Sequence, residues 1–588
     1  MNWKTISKNE TIIWLILLVF SLYCTCKMAF FCLSGGILNP DCSLYLINAL
    51  KYAGIDYWNL ARPEELFYTP VISFLTSLIF RLGLVDKAAI IIVTSILCFL
   101  SYIGVFFLLK IRFNSLLSLT GVVIYGSTSV IIFNLSKGLI DIPAISISIW
   151  ALYFGILAID KNPKYFLISF PLLVIGFFTK YIAGFILPLL LLYYLMDRDF
   201  IVTLDNLISD RQLFKENMMN YIHSKEFLYI IISIIISLIL AYIICKTLIL
   251  NFGGSLTFFK QTANTLNINN FDSTGNLFNM DKSYYIDEFS KILFEKNAFG
   301  PLLTGLLYGI FGISIVVTIV NFIKYNSQIK HSKKLFKTKH FEKILGVMFC
   351  LTVFGMIYGF TVSLNNIFSN ICFLASIIIL HSLLKRYVDN DTCLKLTLVY
   401  FSFFIVYLIF LSLYPIKLPR YAIPLIVPFV CIIVWSLDTI LNLLTNGFKE
   451  LTCNINNCYS KKSNYLLIII LIIFLVSTLT FIAPMEYERS NNVYQEVLYK
   501  GYSNDLVDAC DYILANDSNY HSKTFASFPN SSRTIMWYLK TNVTIIDEKE
   551  PNLVDYDNST YLILYKDLDL NNYNKIKECG DFNIYYHK

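Results

Sequence analysis

Five charged residues sit in otherwise apolar surroundings at the edges of long hydrophobic runs: Asp41, Asp141, Lys180, Lys417 and Arg420. Two carboxylates and three cations suit one kind of reaction. A base takes the proton of an incoming hydroxyl while fixed positive charge receives a departing phosphate. Each residue also has a plainer structural account. Asp141 precedes Ile142-Pro143 and is placed to cap a helix N-terminus, with Pro tolerated in the first turn. Asp41 follows Pro40 and reads as a first-turn residue of an interfacial helix. Lys180 can snorkel from a helix end to the interface, and Lys417 and Arg420 can anchor a helix there. Taken singly, none decides. What raises them is a shared side of the membrane, and the elements that carry them must establish it.

Those elements are membrane spans. Of the 588 residues, 56% are hydrophobic and 15% charged, and the mean hydropathy is +0.62. A soluble surface needs more charge than this. Apolar runs near the ~20 residues that cross a bilayer recur, among them Thr11–Cys32, Ala88–Leu109, Phe227–Leu250 and Tyr465–Ile482. About thirteen spans follow: 11–33, 87–109, 116–136, 142–159, 165–180, 181–196, 227–250, 299–322, 344–362, 368–384, 395–413, 421–443 and 465–483. The first is too long for a signal-peptide core and lacks a small-residue cleavage site, so it reads as a retained helix. The net charge of +7 is modest. Membrane lipid is an expected partner and nucleic acid is not.

The run Thr69–Leu84 is apolar but short and holds Arg81; counting it as a span reverses every later loop. The positive-inside rule decides. With Thr69–Leu84 along the interface, the inner loops collect Lys110 and Arg112, Lys161 and Lys164, Arg198 and Arg211, Lys385 and Arg386, and Lys461 and Lys462. They also collect the dense run Lys324, Lys330, Lys333, Lys334, Lys337, Lys339 and Lys343. The N-terminus is then cytoplasmic and the tail outside. The outer segments are 34–86, the turns near Lys137–Asp141 and Leu364–Asn370, the junction Lys180–Tyr181, the loop 251–300, the turn Tyr414–Tyr421 and the tail 485–588. All five candidates fall on that outer side. The first outer loop reads as short interfacial helices, with a start at Pro40-Asp41 and apolar Leu44, Ile47 and Leu50 at helical spacing. The loop 251–300, rich in Asn, Asp, Ser and Thr, is expected to be mobile.

The chain divides into a membrane domain, 1–484, and an extracytoplasmic α/β domain, 485–588. In the tail, Val493–Ala515 and Arg533–Leu539 read as helices, and Thr524–Phe528, Val543–Ile546, Tyr561–Tyr565 and Phe582–Tyr586 as short strands. Its size suits an independent unit. Sequons at Asn516, Asn530, Asn542 and Asn558 fit an outside location. The 14 cysteines show no metal-ligand spacing; Cys510 and Cys579 are placed to bridge in an oxidising space.

Four segments resemble the GT-C lipid-linked glycosyltransferases, particularly the branch of protein O-mannosyltransferases and bacterial aminoarabinose transferases. Asn39-Pro40-Asp41-Cys42-Ser43-Leu44-Tyr45 through Tyr52-Ala53-Gly54, with Tyr68-Thr69-Pro70 and the run to Leu82-Gly83, is similar to that family's first outer loop. Asp141-Ile142-Pro143 resembles its Asp-x-Pro. Gly176-Phe177-Phe178-Thr179-Lys180-Tyr181 resembles its Gly-x-x-x-Thr-Lys segment. Lys417-Leu418-Pro419-Arg420-Tyr421-Ala422-Ile423-Pro424-Leu425 resembles its Lys-x-x-Arg-Tyr-x-x-Pro segment. The resemblance spans about residues 10–430 and implies a GT-C fold and an inverting, metal-independent or weakly metal-linked transfer from a polyprenyl-phosphate sugar to a hydroxyl-bearing acceptor. It implies Asp41 as the base, Asp141 orienting acceptor or sugar, Lys180, Lys417 and Arg420 holding the phosphate, and Tyr45 and Tyr68 in support.

The sequence departs from the family at Tyr68-Thr69-Pro70, where some members carry Glu-Lys-Pro; that argues against a donor head-group identical to the aminoarabinose enzyme's. No Trp-Trp-Asp-Tyr-Gly segment occurs, which disfavours the oligosaccharyltransferase branch. No outside Asp-x-Asp lies near the first loop, and Asp197-Arg198-Asp199 falls on the cytoplasmic side, so no motif supports a divalent metal or other cofactor. Two rival readings stand: a transporter or flippase of lipid-linked sugar, and a non-catalytic polyprenyl-lipid-binding scaffold. Transporters place ionisable groups near the midplane and show repeats, whereas here the charges gather at helix ends.

Overall fold

The computed structural model of the chain describes residues 8–33, 40–55, 69–209, 211–253, 281–294, 300–328, 341–388, 390–446, 460–490, 504–546, 559–565, 570 and 572–588. Tyr68, Asn558, the lysines from 330 to 339 and residues 254–280 of the long outer loop lie outside them.

The protein is a multi-pass helical membrane protein with a small C-terminal sheet domain. Among the described residues, 10 helices are long and apolar enough to cross a bilayer. The remaining expected spans form shorter apolar helices: Ser115–Ser127, Pro163–Thr179 and Tyr181–Asp197. In chain order the first elements are α1 (Lys8–Leu33), α2 (Pro40–Ala53), α3 (Pro70–Arg81), α4 (Lys87–Lys110), α5 (Ser115–Ser127) and α6 (Ser129–Asn134). Next come α7 (Asp141–Asp160), α8 (Phe166–Thr179), α9 (Ile186–Asp197), α10 (Phe200–Ser209), α11 (Arg211–Ile222) and α12 (Lys225–Ile244). The later membrane-domain helices are α13 (Tyr284–Asp287), α14 (Phe289–Phe294), α15 (Gly300–Gln328), α16 (Phe341–Thr361), α17 (Asn366–Leu384), α18 (Asp391–Leu413), α19 (Ile423–Asn446) and α20 (Lys461–Ser490).

Burial sorts these helices into a centre and a rim. The apolar stretches of α7 and α19 are 78% and 83% buried, while that of α16 is 11% buried and presents Leu351 and Phe354 outward. A helix apolar all round that stays exposed faces lipid. Asp141 thus stands at the start of one strongly buried helix, and Lys417 and Arg420 lie just before the other.

Two expectations are corrected. The single span 116–136 is broken at Thr128, whose extended backbone separates α5 from α6. The broken end is held by Ser127 Oγ, which bonds Phe474 O at 3.0 Å and Thr478 Oγ1 at 2.6 Å on α20; a neighbouring helix thus takes up a polar side chain at the break. In the loop 251–300, residues 281–294 are not mobile-looking at all. They form α13 and α14, with Tyr285, Ile292, Leu293 and Phe294 buried against the bundle.

The C-terminal domain comprises α21 (Asn504–Asn516), β1 (Phe525–Ser527), α22 (Pro529–Leu539), β2 (Val543–Ile545), β3 (Tyr561–Leu564), β4 (Tyr573–Cys579) and β5 (Phe582–His587). The five-stranded sheet has the order β2-β1-β3-β5-β4. The first three strands are parallel, with Phe525 opposite both Val543 and Tyr561. β5 then runs antiparallel to β3 and β4. α22 is the crossover of the β1-α22-β2 unit. β4 went unread in the sequence because it is an edge strand whose interior positions, Asn574 to Glu578, are all exposed and mostly polar. Cys510 and Cys579 are buried free thiols, and burial pushes the Cys510 thiol up.

Candidate active site

The site begins with the interfacial helix α2, and four contacts fix where it lies. Arg81 on α3 donates through Nη2 to Tyr52 O at 2.6 Å, capping the C-terminal end of α2. Tyr52 Oη donates to Leu248 O at 2.8 Å, in the π-helical turn that follows α12. That wider turn lies outside the regular ladder, where a side chain finds backbone groups to bond. At the other end, Ser43 and Thr534 bring their hydroxyls to 3.4 Å. The fourth contact depends on a glycine: Gly138, at φ +72°, lies so close to α2 that a Cβ there would sit 2.5 Å from Cys42 Sγ. Only glycine takes that backbone and that approach without cost. The turn it makes delivers α7 beside α2.

α7 starts at Asp141 itself, with Ile140 in the cap position and no side-chain cap bond. The capping account of Asp141 therefore does not describe this helix. Its carboxylate is buried and accepts the Nζ of Lys180, which lies in extended backbone just past the end of α8. The Lys180 ammonium also lies over the Tyr421 ring, 4.7 Å from its centroid. Arg420 covers the same ring at 5.4 Å and donates through Nη2 to Asp41 Oδ2 at 2.7 Å. Tyr45, one helical turn after Asp41 on α2, is buried; burial first, then the nearby Asp41 and Asp141 carboxylates, push its phenol well above its ordinary range. It stays protonated and can only donate or accept as a neutral hydroxyl.

Asp41, Tyr45, Asp141, Lys180, Arg420 and Tyr421 are thus brought together from four separate stretches of chain. Asp41 is 30% exposed and Lys180 23%, while Asp141 is 5% exposed. One carboxylate can meet a ligand and the other is held inside. Arg420 carries a further signal. Its Nε and Nη1 are shielded from solvent, and neither has a hydrogen-bond partner among the described residues. A buried guanidinium edge without acceptors is costly, and it is the shape that an anionic oxygen pair satisfies.

Lys417 is placed differently. Its ammonium donates to Leu411 O at 2.6 Å and Ser412 O at 2.8 Å, binding the C-terminal carbonyls of α18. It also lies 5.5 Å from the Tyr285 ring centroid. Burial lowers the lysine to about 8, with Asp281 pulling the other way. Tyr285 in turn donates to Leu418 O at 3.2 Å, so α13 braces the turn that presents Arg420. Tyr68 lies outside the described residues.

Two participants were not read from the sequence. Tyr421 had been quoted only as part of a motif; it is the shared aromatic face beneath two cations. Arg533, on α22 of the C-terminal domain, brings Nη1 to 3.8 Å from Asp41 Oδ1. Nothing in a local pattern links positions so far apart in the chain.

No three His, Cys, Asp or Glu side chains are grouped to hold a metal ion among the described residues. Asp197 is the last residue of α9, at the end away from Lys180, and Asp199 follows it. They are taken up by Lys395 at 2.6 Å and Lys385 at 2.6 Å, within a cluster that includes His381 and Asp391 at 2.8 Å.

Residues 67–206 match the family described as dolichyl-phosphate-mannose-protein mannosyltransferase. The whole chain has the fold of ArnT from Cupriavidus metallidurans. Against the form bound to undecaprenyl phosphate the identity is 10% and the TM-score 0.51, covering 99% of this chain and 98% of that one. Against the apo form the identity is 9% and the TM-score 0.52, with 98% of each chain covered. No curated protein matches the chain by sequence.

Proposed function

On the premise that this chain belongs to the GT-C superfamily of lipid-linked glycosyltransferases, we propose that it moves a sugar from a polyprenyl-phosphate donor to a hydroxyl acceptor at the outer face of the membrane. The observation that carries the reading is the meeting of Asp41, Asp141, Lys180 and Arg420 at one place, with two nitrogens of Arg420 left for an anion. The undecaprenyl phosphate bound by the structurally similar protein supports a lipid phosphate as that anion.

In the reaction Asp41 takes the proton of the acceptor hydroxyl. The hydroxyl oxygen forms a bond to the anomeric carbon as the bond from that carbon to the phosphate oxygen breaks. The electron pair leaves with the phosphate, and the sugar inverts. Arg420 and Lys180 meet the charge that develops on the phosphate; such bonds gain strength where water is scarce. Asp141 holds the Lys180 ammonium in place and so acts through it. Lys417 contributes by fixing the turn before α19.

The decisive experiment is transfer by the purified protein from a defined set of polyprenyl-phosphate sugars, wild type against Asp41→Asn. Loss of a positioned base lowers the rate by ~10²–10⁴. An unchanged rate removes Asp41 from the chemistry.

A further inference from the structure

The C-terminal domain touches the membrane domain where the chemistry is placed. α22 packs on α2: Ser43 meets Thr534 at 3.4 Å, and both are fully buried or nearly so. One turn further on, Trp537 stacks on Phe80 of α3, ring centroids 6.1 Å apart and planes within 16°. Lys540, at the end of α22, feels Asp86, the residue that caps α4. The contact thus runs along α22 and reaches α2 and α3. Its first charged residue is Arg533, and that side chain ends at Asp41.

The geometry at the carboxylate is unequal. Arg420 holds Oδ2 with a hydrogen bond of 2.7 Å, whereas Arg533 faces Oδ1 across 3.8 Å. A firmly bonded oxygen is a poor place to receive a proton. The two cations approach different oxygens, so together they fix the plane of the carboxylate and turn Oδ1 toward the C-terminal domain. We propose that Arg533 is a positioning residue of the transfer site: from the C-terminal domain it aims Oδ1 of Asp41 at the acceptor, so that neither domain alone completes the site. This deepens the proposed function and rests on Asp41 being its base. Arg533 stands on a buried helix seated by a hydroxyl pair and an aromatic stack, which is how a scaffold holds a side chain to the tolerance chemistry needs.

The experiment compares full-length Asp41→Asn, Arg533→Gln and Arg533→Lys with wild type, using a polyprenyl-phosphate sugar that the wild type turns over. Arg533→Gln is expected to lower kcat by roughly 10–100-fold, the scale of a small misplacement of a reacting group. Its affinity for undecaprenyl phosphate should stay at the wild-type value, and Arg533→Lys should recover part of kcat. Ser43→Cys/Thr534→Cys, expected to cross-link on mild oxidation, reports the seat of α22 without any turnover. Arg533→Gln at the wild-type rate, beside an inactive Asp41→Asn, overturns the role of Arg533 and leaves the proposed function standing. Full activity in Asp41→Asn overturns both. A fall in kcat that lysine does not recover, with weaker lipid-phosphate binding, makes Arg533 part of the donor site and defeats the positioning role.

Discussion

At the scale of single residues, Arg420 is the most committed side chain in the site. One nitrogen bonds Asp41, and two others are buried with no hydrogen-bond partner among the described residues. Hydrogen bonds to charged groups contribute about 1.5–3 kcal/mol each. Arg420→Gln is therefore expected to weaken undecaprenyl phosphate binding roughly 10–100-fold, measurable by titration of the solubilised protein; an unaltered affinity takes Arg420 out of the phosphate site. How much of this was readable in sequence differs by residue. Asp41, Asp141, Lys180 and Arg420 could be singled out because the charge pattern of the loops puts each at the edge of an apolar run on one and the same side. Their pairing was not readable, since Asp141 with Lys180 and Asp41 with Arg420 are contacts of the folded bundle. Lys417 looked like its neighbour Arg420, yet its ammonium ends on the carbonyls of α18. A sequence shows that a cation lies at a helix end and not which way it turns.

At the scale of elements, the approach of α7 to α2 depends on Gly138. A Cβ there meets Cys42 Sγ at 2.5 Å, and φ is +72°. The backbone penalty alone is about 1–2 kcal/mol for a residue with a side chain. Gly138→Ala is expected to lower the thermal stability of the solubilised protein and to cut transfer, because the shift moves Asp141 relative to Asp41. Gly138→Ala/Cys42→Ala, which frees space but leaves the backbone strained, should recover only part of the loss. A single substitution with wild-type stability and rate would show that the turn adapts. The helices themselves were legible from apolar runs, since a bilayer leaves few alternatives to a helix. The break at Thr128 was not, although Gly126-Ser127-Thr128-Ser129 interrupts the apolar run there, because the Ser127 hydroxyl finds its partners on α20, distant in sequence.

At the scale of the whole molecule, the junction between the domains contains a half-buried cation. Burial lowers Lys540 from its ordinary 10.5 to about 7, with Asp86 opposing. Between those values the unfolded chain holds a proton that the folded chain has lost, so stability rises with pH across that window. Below about 7 the folded chain bears the full cost of the buried charge. Thermal unfolding of the solubilised protein should therefore move upward between about pH 7 and 9, and Lys540→Met should flatten the slope; a slope unmoved by the substitution removes Lys540 as its source. The membrane architecture and the four segments shared with the GT-C enzymes carried the sequence reading most of the way to the fold. The docking of α22 escaped it, because Thr534 and Trp537 read as ordinary core residues of a small domain. That docking has a consequence for how the protein is made. Asp41 leaves the ribosome long before Arg533 does. A growing chain therefore carries the acid well before its second cation arrives, and the two meet only when the C-terminal domain settles on α2. Timing is thereby built into assembly: on the role proposed for Arg533, a half-made molecule in the membrane lacks the side chain that orients Asp41.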